Sequence, residues 1–223
     1  MQIINLDNRD YHCHSIVHSD GYNTFDELAQ YAGKIGLTEL AITDHSQICA
    51  DYEKWSKPHR GIITRWKNVH NDVNIIFGVE GDLLNEEGDC CFDIQGKSAR
   101  TGGINILSAH DHIFQSDKST ITDAYLKAIK RYHHKISFIG HLTHKKFAEV
   151  LDLEKVVRVA NEHEIPLEFN CAQLMLGTGN IEKTKQMLSL ADRIYVNSDA
   201  HTLHELGTYR EEGFKYLRQE RFL

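Results

Sequence analysis

The chain lacks the marks of several protein classes. It has no basic excess, since 25 Lys and Arg stand against 32 Asp and Glu for a formal net charge of -7. A surface that tracks nucleic-acid phosphates needs a basic face, so a dedicated nucleic-acid-binding module is disfavoured, although a single-stranded end could still reach an enclosed site. No apolar run approaches the ~20 residues of a membrane span. The five cysteines, Cys13, Cys49, Cys90, Cys91 and Cys171, contain no Cys-x-x-Cys pair and no disulfide-framework spacing. An odd count with two neighbours fits a reducing compartment. The opening stretch MQIINLDNRDY carries no apolar h-region of a signal peptide, so a cytoplasmic protein is expected. Linkers, internal repeats and low-complexity tracts are also missing. Residues 1–223 are expected to form one domain with a sizeable core. Nothing in the sequence sets an oligomeric state.

Apolar and charged fractions of 41% and 26% are those of a soluble globular protein. Histidine, at 15 residues, is the compositional outlier. Of these, His59, His70, His133, His134 and His163 read as solvated helix or loop surface.

Strand and helix patterns alternate throughout. Short apolar runs predict seven buried strands, over Arg9–His14, Leu37–Thr43, Val73–Val79, Ile104–Ser108, Ile136–Gly140, Pro166–Asn170 and Arg193–Asn197. Thr24-x-x-Glu27 is a capping box opening a helix that carries Leu28, Ala29, Ala32 and Ile35 on one face and stops at Gly36. Amphipathic spacing predicts further helices over Ile121–Tyr132, Leu153–Glu162, Ile181–Leu190 and Glu211–Gln219. Repeated βα units predict a parallel α/β architecture, either an open sheet or a closed barrel. The stretch Glu86–Gly103 reads as a polar, glycine-rich loop near the mouth of the fold.

Polar residues choose between the two. His12 with His14, His45, Glu80, His110, His141, Asn170, and Asp199 with His201 fall at or just past the C-terminal ends of different strands. An open sheet gathers ligands from a few strands at one crevice, whereas a barrel brings every strand end to one mouth. A distorted, TIM-like barrel of seven strands is therefore expected, with its site at the C-terminal rim. Alternate side chains of a strand share a face, so His12 and His14 project together, as do Asp199 and His201. Imidazoles and carboxylates crowded at one rim repel and desolvate one another unless cations hold them. The pattern points to a metalloenzyme.

As a set these residues resemble the PHP (polymerase and histidinol phosphatase) superfamily. His12-Cys13-His14-Ser15, Ser19-Asp20-Gly21 and Ala41-Ile42-Thr43-Asp44-His45 look like its first motif. Gly78-Val79-Glu80, Leu107-Ser108-Ala109-His110, Ile139-Gly140-His141 and Ser198-Asp199-Ala200-His201 follow in order. The resemblance covers nearly the whole chain, at the length of a stand-alone phosphoesterase, and implies a seven-stranded (β/α) barrel with three divalent ions of zinc, manganese or iron. Carried over, His12, His14, Glu80 and Asp199 would hold one ion, Glu80 with His110 and His141 a second, and Asp20, His45 and His201 the third. Glu80, Asp199 and His201 are the residues on which catalysis is expected to turn. His18 competes with Asp20, His112 with His110, and His144 with His141; Asp20 fits the commoner Ser-Asp-Gly pattern, and His110 and His141 end their strands directly.

The expected reaction is hydrolysis of a phosphoester. Paired cations lower the pKa of a bridging water so that hydroxide is available at neutral pH, and they neutralise charge on the phosphoryl oxygens. Cys13, facing away from its histidine neighbours, reads as core rather than nucleophile. Arg100, Lys145 and Lys146 lie in loops that could meet the phosphate, though solvated surface is the plainer reading; Asn170 could donate at the site or merely end its strand, and Asp44 could orient a ligand. The acidic balance favours a small phosphorylated substrate such as histidinol phosphate over a 3'-5' exonuclease acting on single-stranded ends. An amidohydrolase-type enzyme is a second class, disfavoured because Asp199 is followed by His201 and no lysine ends a strand. A non-catalytic metal-binding domain is a third, disfavoured because all nine ligand positions are filled.

Overall fold

The computed structural model describes residues 1–55, 61–94, 97–98 and 103–223. The strands are β1 (Gln2–Ile3), β2 (Arg9–Asp10), β3 (Glu39–Ile42), β4 (Asn74–Phe77), β5 (Val79–Leu83), β6 (Cys90–Cys91), β7 (Asp93–Ile94), β8 (Lys97–Ser98), β9 (Asn105–Ser108), β10 (Phe138–Ile139), β11 (Leu167–Asn170) and β12 (Arg193–Asn197). The α-helices are α1 (Phe25–Lys34), α2 (Gln47–Tyr52), α3 (Gly61–Arg65), α4 (Ile121–Tyr132), α5 (Lys145–Ala148), α6 (Leu153–Glu162), α7 (Cys171–Met175), α8 (Ile181–Leu190) and α9 (Leu203–Gln219). Among the described residues no helix is long and apolar enough to cross a membrane.

The parallel α/β order is as expected, and its hydrogen-bonded ladders are divided between sheets. Hydrogen-bonded ladders form a seven-stranded sheet, ordered β1-β12-β11-β10-β9-β5-β6, and a separate three-stranded sheet, β2-β3-β4. All pairings in both are parallel except β5 with β6. Among the described residues, isolated parallel bridges link the segments of the two sheets, Cys13 with Ala200 and His45 with Glu80.

Local chemistry explains the gap. The apolar run Val73–Val79 does not continue as one strand, because Gly78 hands the chain from one sheet to the other. Its N–H donates to Ile42 O at 2.8 Å, and the next, of Val79, donates to Ile104 O at 2.9 Å. A Cβ on Gly78 would lie 2.4 Å from that Ile104 oxygen, so only glycine fits. Likewise the strand expected over Arg9–His14 stops at Asp10. Side chains take over as acceptors there: Tyr11 N–H donates to Asn197 Oδ1 and His12 N–H to Asp10 Oδ1.

The two-residue period of the strands sorts their side chains between cores. Ala41, Ile106 and Phe138 join Tyr11 in a small interior cluster. Their neighbours Leu40 and Ile42 pack outward with α1, and Leu107 and Ile139 outward with α4 and α6. Both faces are buried, which is why these strands read as unbroken apolar runs. The capping box of Thr24 and Glu27 forms as expected, and Gly36 takes φ +80° just beyond the helix end. Helix α9 starts well before Glu211, under a second capping box made by Thr202 and Glu205. Its buried Arg210 donates to the main-chain oxygens of Asn5, Asp7 and Val196, tying the N-terminal segment to β12.

Candidate metal centre

The polar ends of the parallel strands converge on one cavity of about 750 Å³. At its floor lies Glu80, buried on β5, with its two oxygens turned toward different histidines. Oε2 lies 3.6 Å from His12 Nε2, 3.5 Å from His14 Nε2 and 2.9 Å from His45 Nδ1. Oε1 lies 3.5 Å from His110 Nε2 and 2.6 Å from His141 Nε2. Asp199 Oδ1 closes the first group, 3.4 Å from His12 Nε2 and 3.2 Å from His14 Nε2. Asp20 Oδ1 lies 3.5 Å from His45 Nε2 and 3.2 Å from His201 Nε2.

Tautomers are fixed from behind. Carboxylates only accept, so Nδ1 of His12 donates to Glu168 Oε1 (2.8 Å) and Nδ1 of His110 donates to Asp82 Oδ1 (2.6 Å). Nδ1 of His201 donates to Asp199 O at 3.1 Å. Ser19 Oγ gives its own proton to Asp20 and accepts from His14 Nδ1, both at 3.1 Å. Each of these rings therefore turns Nε2 to the cavity as the atom that takes up a proton or a metal ion.

The donor set fits a cation. His12 Nε2 and His14 Nε2 face each other at 3.2 Å, an arrangement that repels unless a proton or a metal ion lies between. A tetrahedron with metal–donor bonds of about 2.0–2.1 Å has edges of roughly 3.3–3.4 Å. The five contacts that His12 and His14 make with each other, with Glu80 and with Asp199 span 3.2–3.6 Å. Buried His45 Nδ1 makes no hydrogen bond of proper geometry, although Glu80 Oε2 is 2.9 Å away.

Electrostatics agree with that reading. Burial opposes charge on every group, yet Glu168, Asp199 and Glu80 push His12 well above its ordinary value, and Glu80 and Asp20 do the same to His45. His110, against its burial, is pushed up to about 10 by Glu80 and Asp82. His201, only half-buried, rises to about 9 against its desolvation, beside Asp20 and Asp199. His14, buried among the cationic His201 and His45, falls to about 3. Glu80 and Asp199 stay well below the carboxylate range despite burial, held there by the imidazoles around them. Protons thus occupy a field shaped for positive charge. Two donors also sit on left-handed backbone, His141 at φ 26° and Asp199 at φ 53°. Such strain persists only where neighbours hold it, and here Glu168 Oε2 accepts from His141 N–H while His12 O accepts from Asp199 N–H.

All nine expected ligands line or floor this cavity or contact those that do. His14, Asp20, His45 and His201 form one compact donor group, His12, His14 and Glu80 another, and His45, Glu80 and His110 a third. Asp199 joins by its contacts with His12 and His14. His141 instead hydrogen-bonds Glu80 at 2.6 Å, so a proton joins the two side chains here. Of the competitors, His18 lies behind the site, stacked on Phe25 and 3.8 Å from Asp44. His112 faces Glu53 at 3.5 Å, and His144 lines the cavity wall, where burial and the charge of His141 lower it to about 4.

Other expectations divide. Asp44 does not hold His45; it accepts from Ser15 N–H and Oγ–H, both at 2.6 Å, and burial raises it to about 6. Asn170 ends β11 and donates to Glu168 and Asp199, and it also caps α7. Lys146 lines the cavity, whereas Lys145 reaches Gly177 O. Arg100 and His59 lie outside the described residues, as does part of the Glu86–Gly103 stretch. Cys13 is core, as expected, and its Sγ meets Ala41 O.

Sequence reading missed Glu168, Asp82 and Asn197. Both carboxylates are fully buried, and Asp82 also accepts from Ser46 Oγ. The signal was available: Asp82 follows Glu80 on the same strand face, and Glu168 interrupts an apolar run as Glu80 does.

Comparison with known proteins places this geometry. The family model of the PHP domain matches residues 10–199. A "probable phosphatase" of Vibrio campbellii is 30% identical over 206 residues, covering 89% of this chain and 79% of its own length. The "probable phosphatase YcdX" of Shigella flexneri is 26% identical over 211 residues, with coverages of 91% and 82%. Among solved structures, the histidinol phosphate phosphatase of Lactococcus lactis, complexed with zinc, L-histidinol and phosphate, superposes with a TM-score of 0.52 at 19% identity, over 92% of this chain and 93% of that one. A structure from a study of YwqE of Bacillus subtilis and CpsB of Streptococcus pneumoniae, described as metal-dependent tyrosine phosphatases, gives 0.52 at 18% identity, with coverages of 96% and 88%.

Proposed function

Because this chain belongs to the PHP domain family, we propose that it is a metal-dependent phosphoesterase that hydrolyses a small phosphomonoester, in the manner of a histidinol phosphatase. The observation that carries this reading is the first donor group, in which the five contacts that His12 and His14 make with each other, with Glu80 and with Asp199 span 3.2–3.6 Å, near the donor spacing around a tetrahedral cation. His12, His14, Glu80 and Asp199 would hold one divalent ion, Glu80, His110 and His141 a second, and Asp20, His45 and His201 a third, each of zinc, manganese or iron. Such ions supply a hydroxide nucleophile at neutral pH and neutralise charge as the phosphoryl group transfers. The chain's own residues set up that chemistry. Glu80 offers separate oxygens to two donor groups, and Asp82 and Glu168 keep the rings of His110 and His12 in one tautomer. We read the two bridged sheets as a distorted seven-stranded barrel within one domain, its donors at the C-terminal rim. Five free cysteines suit work in the reducing cytoplasm.

A small substrate is favoured by charge. Among the described residues lining the cavity, Lys146 is the one lysine or arginine, set among Glu53, Asp111 and Glu205, so a polyanionic strand meets no basic track. The test is metal analysis followed by p-nitrophenyl phosphate hydrolysis after loading with manganese, zinc or iron, then a panel of phosphorylated metabolites and short single-stranded oligonucleotides. Metal-dependent monoester turnover, lost in Glu80→Gln, is expected. Stoichiometric metal without ester hydrolysis would sink the reading, and preferential digestion of oligonucleotides would replace it with the exonuclease.

A further inference from the structure

We propose that His144 is a further substrate-binding residue, an uncharged hydrogen-bond donor that holds the phosphoryl group from the cavity wall beside His141. The inference rests on the phosphoesterase reading and names a contact which that reading leaves unassigned. His144 lines the cavity, as His141 does, and the two rings are neighbours on one stretch of its wall, 6.4 Å apart centre to centre. Its position is clamped. The main-chain N–H donates to His141 O at 3.1 Å, the carbonyl accepts from Phe147 and Ala148, and the backbone bridges to Gly179.

The ring's tautomer follows from one bond. Nδ1 accepts from Lys146 N–H at 3.1 Å, so it carries no hydrogen and Nε2 must. Among the described residues no hydrogen bond engages Nε2. That arrangement limits the chemistry. A second proton on Nδ1 would expel the backbone donor, and loss of the Nε2 proton would leave an imidazolate. His144 can therefore point an N–H at an oxyanion but neither gives nor takes a proton. The adjacent Lys146 ammonium is already drawn to Asp111, 3.4 Å away, which leaves a binding task for a neutral donor.

Two substitutions separate binding from scaffolding. His144→Asn keeps an acceptor suited to the helix start but falls short of the cavity. His144→Gln keeps an amide N–H near the position of Nε2. In metal-loaded protein, His144→Asn should raise KM for p-nitrophenyl phosphate and weaken calorimetric binding of inorganic phosphate by about tenfold or more. Metal content and the shape of the kcat/KM pH profile should stay as in wild type, and His144→Gln should recover most of the loss. An Asn variant with wild-type KM and phosphate affinity would reduce His144 to a cap. Loss of a pH limb would make it a proton carrier, and loss of metal would make it a support of the donor cluster; each overturns the proposal. Were the wild type to hydrolyse no phosphomonoester, the functional reading would fall, while phosphate calorimetry would still decide His144.

Discussion

Glu168 stands behind the cavity rather than on its wall, yet four groups hang on its two oxygens: the His12 ring, the His141 amide, and the side chains of Asn170 and Asn197. In Glu168→Gln one oxygen becomes an NH2 that faces donors, so one side of this network must break. Residues behind a metal ligand are worth about 10–100-fold in affinity or activity. A loss of that size in zinc titration, with far-ultraviolet circular dichroism unchanged, is expected; wild-type affinity would make Glu168 mere packing. At this scale the convergence of the nine expected residues on one cavity was legible, because imidazole and carboxylate at strand ends carry their chemistry in their type. Glu168 and Asp82 were not. Their partners, 156 residues away at His12 and 28 away at His110, come near only in the folded chain.

Gly78 shows the same limit for elements. The apolar run around it reads as one strand, and what divides it is the Ile104 oxygen, just ahead of β9. In Gly78→Ala the new methyl must push β4 and β9 apart. Overpacking of this kind costs about 1–3 kcal/mol, and Glu80, two residues on, moves with it. A lower melting temperature together with weaker metal binding is expected. A loss of stability with metal affinity intact would uncouple the strand crossing from the site. Helices were easier to read where burial, capping and spacing agreed: α4, α6 and α8 span the expected residues. The early start of α9 went unread although Thr202-x-x-Glu205 repeats the signature of Thr24-x-x-Glu27.

For the molecule as a whole, parallel α/β order was legible from the alternation of runs, but closure was not, since the sheets part where side chains replace ladder partners. The site also sets how stability responds to pH. His110 and His201 bind protons more tightly in the folded chain than their ordinary 6.5, up to about 10 and about 9. In metal-free protein the stabilisation from their carboxylate partners is complete below about 6.5 and is lost as pH rises through 9 to 10. Thermal melts of the chelated protein should therefore fall by several degrees between pH 7 and pH 10, and a flat profile would contradict the assignment. Metal-loaded protein should resist in that window and weaken on the acid side, where protons compete for the same nitrogens. Both bridges that join the two sheets, Cys13 with Ala200 and His45 with Glu80, sit at or next to donor residues. Ions held there would work as a buckle across the seams, so stripping them would loosen the amides of His14, Asp199 and Glu80 ahead of the helical shell, and the reaction centre would double as the fastening of the fold.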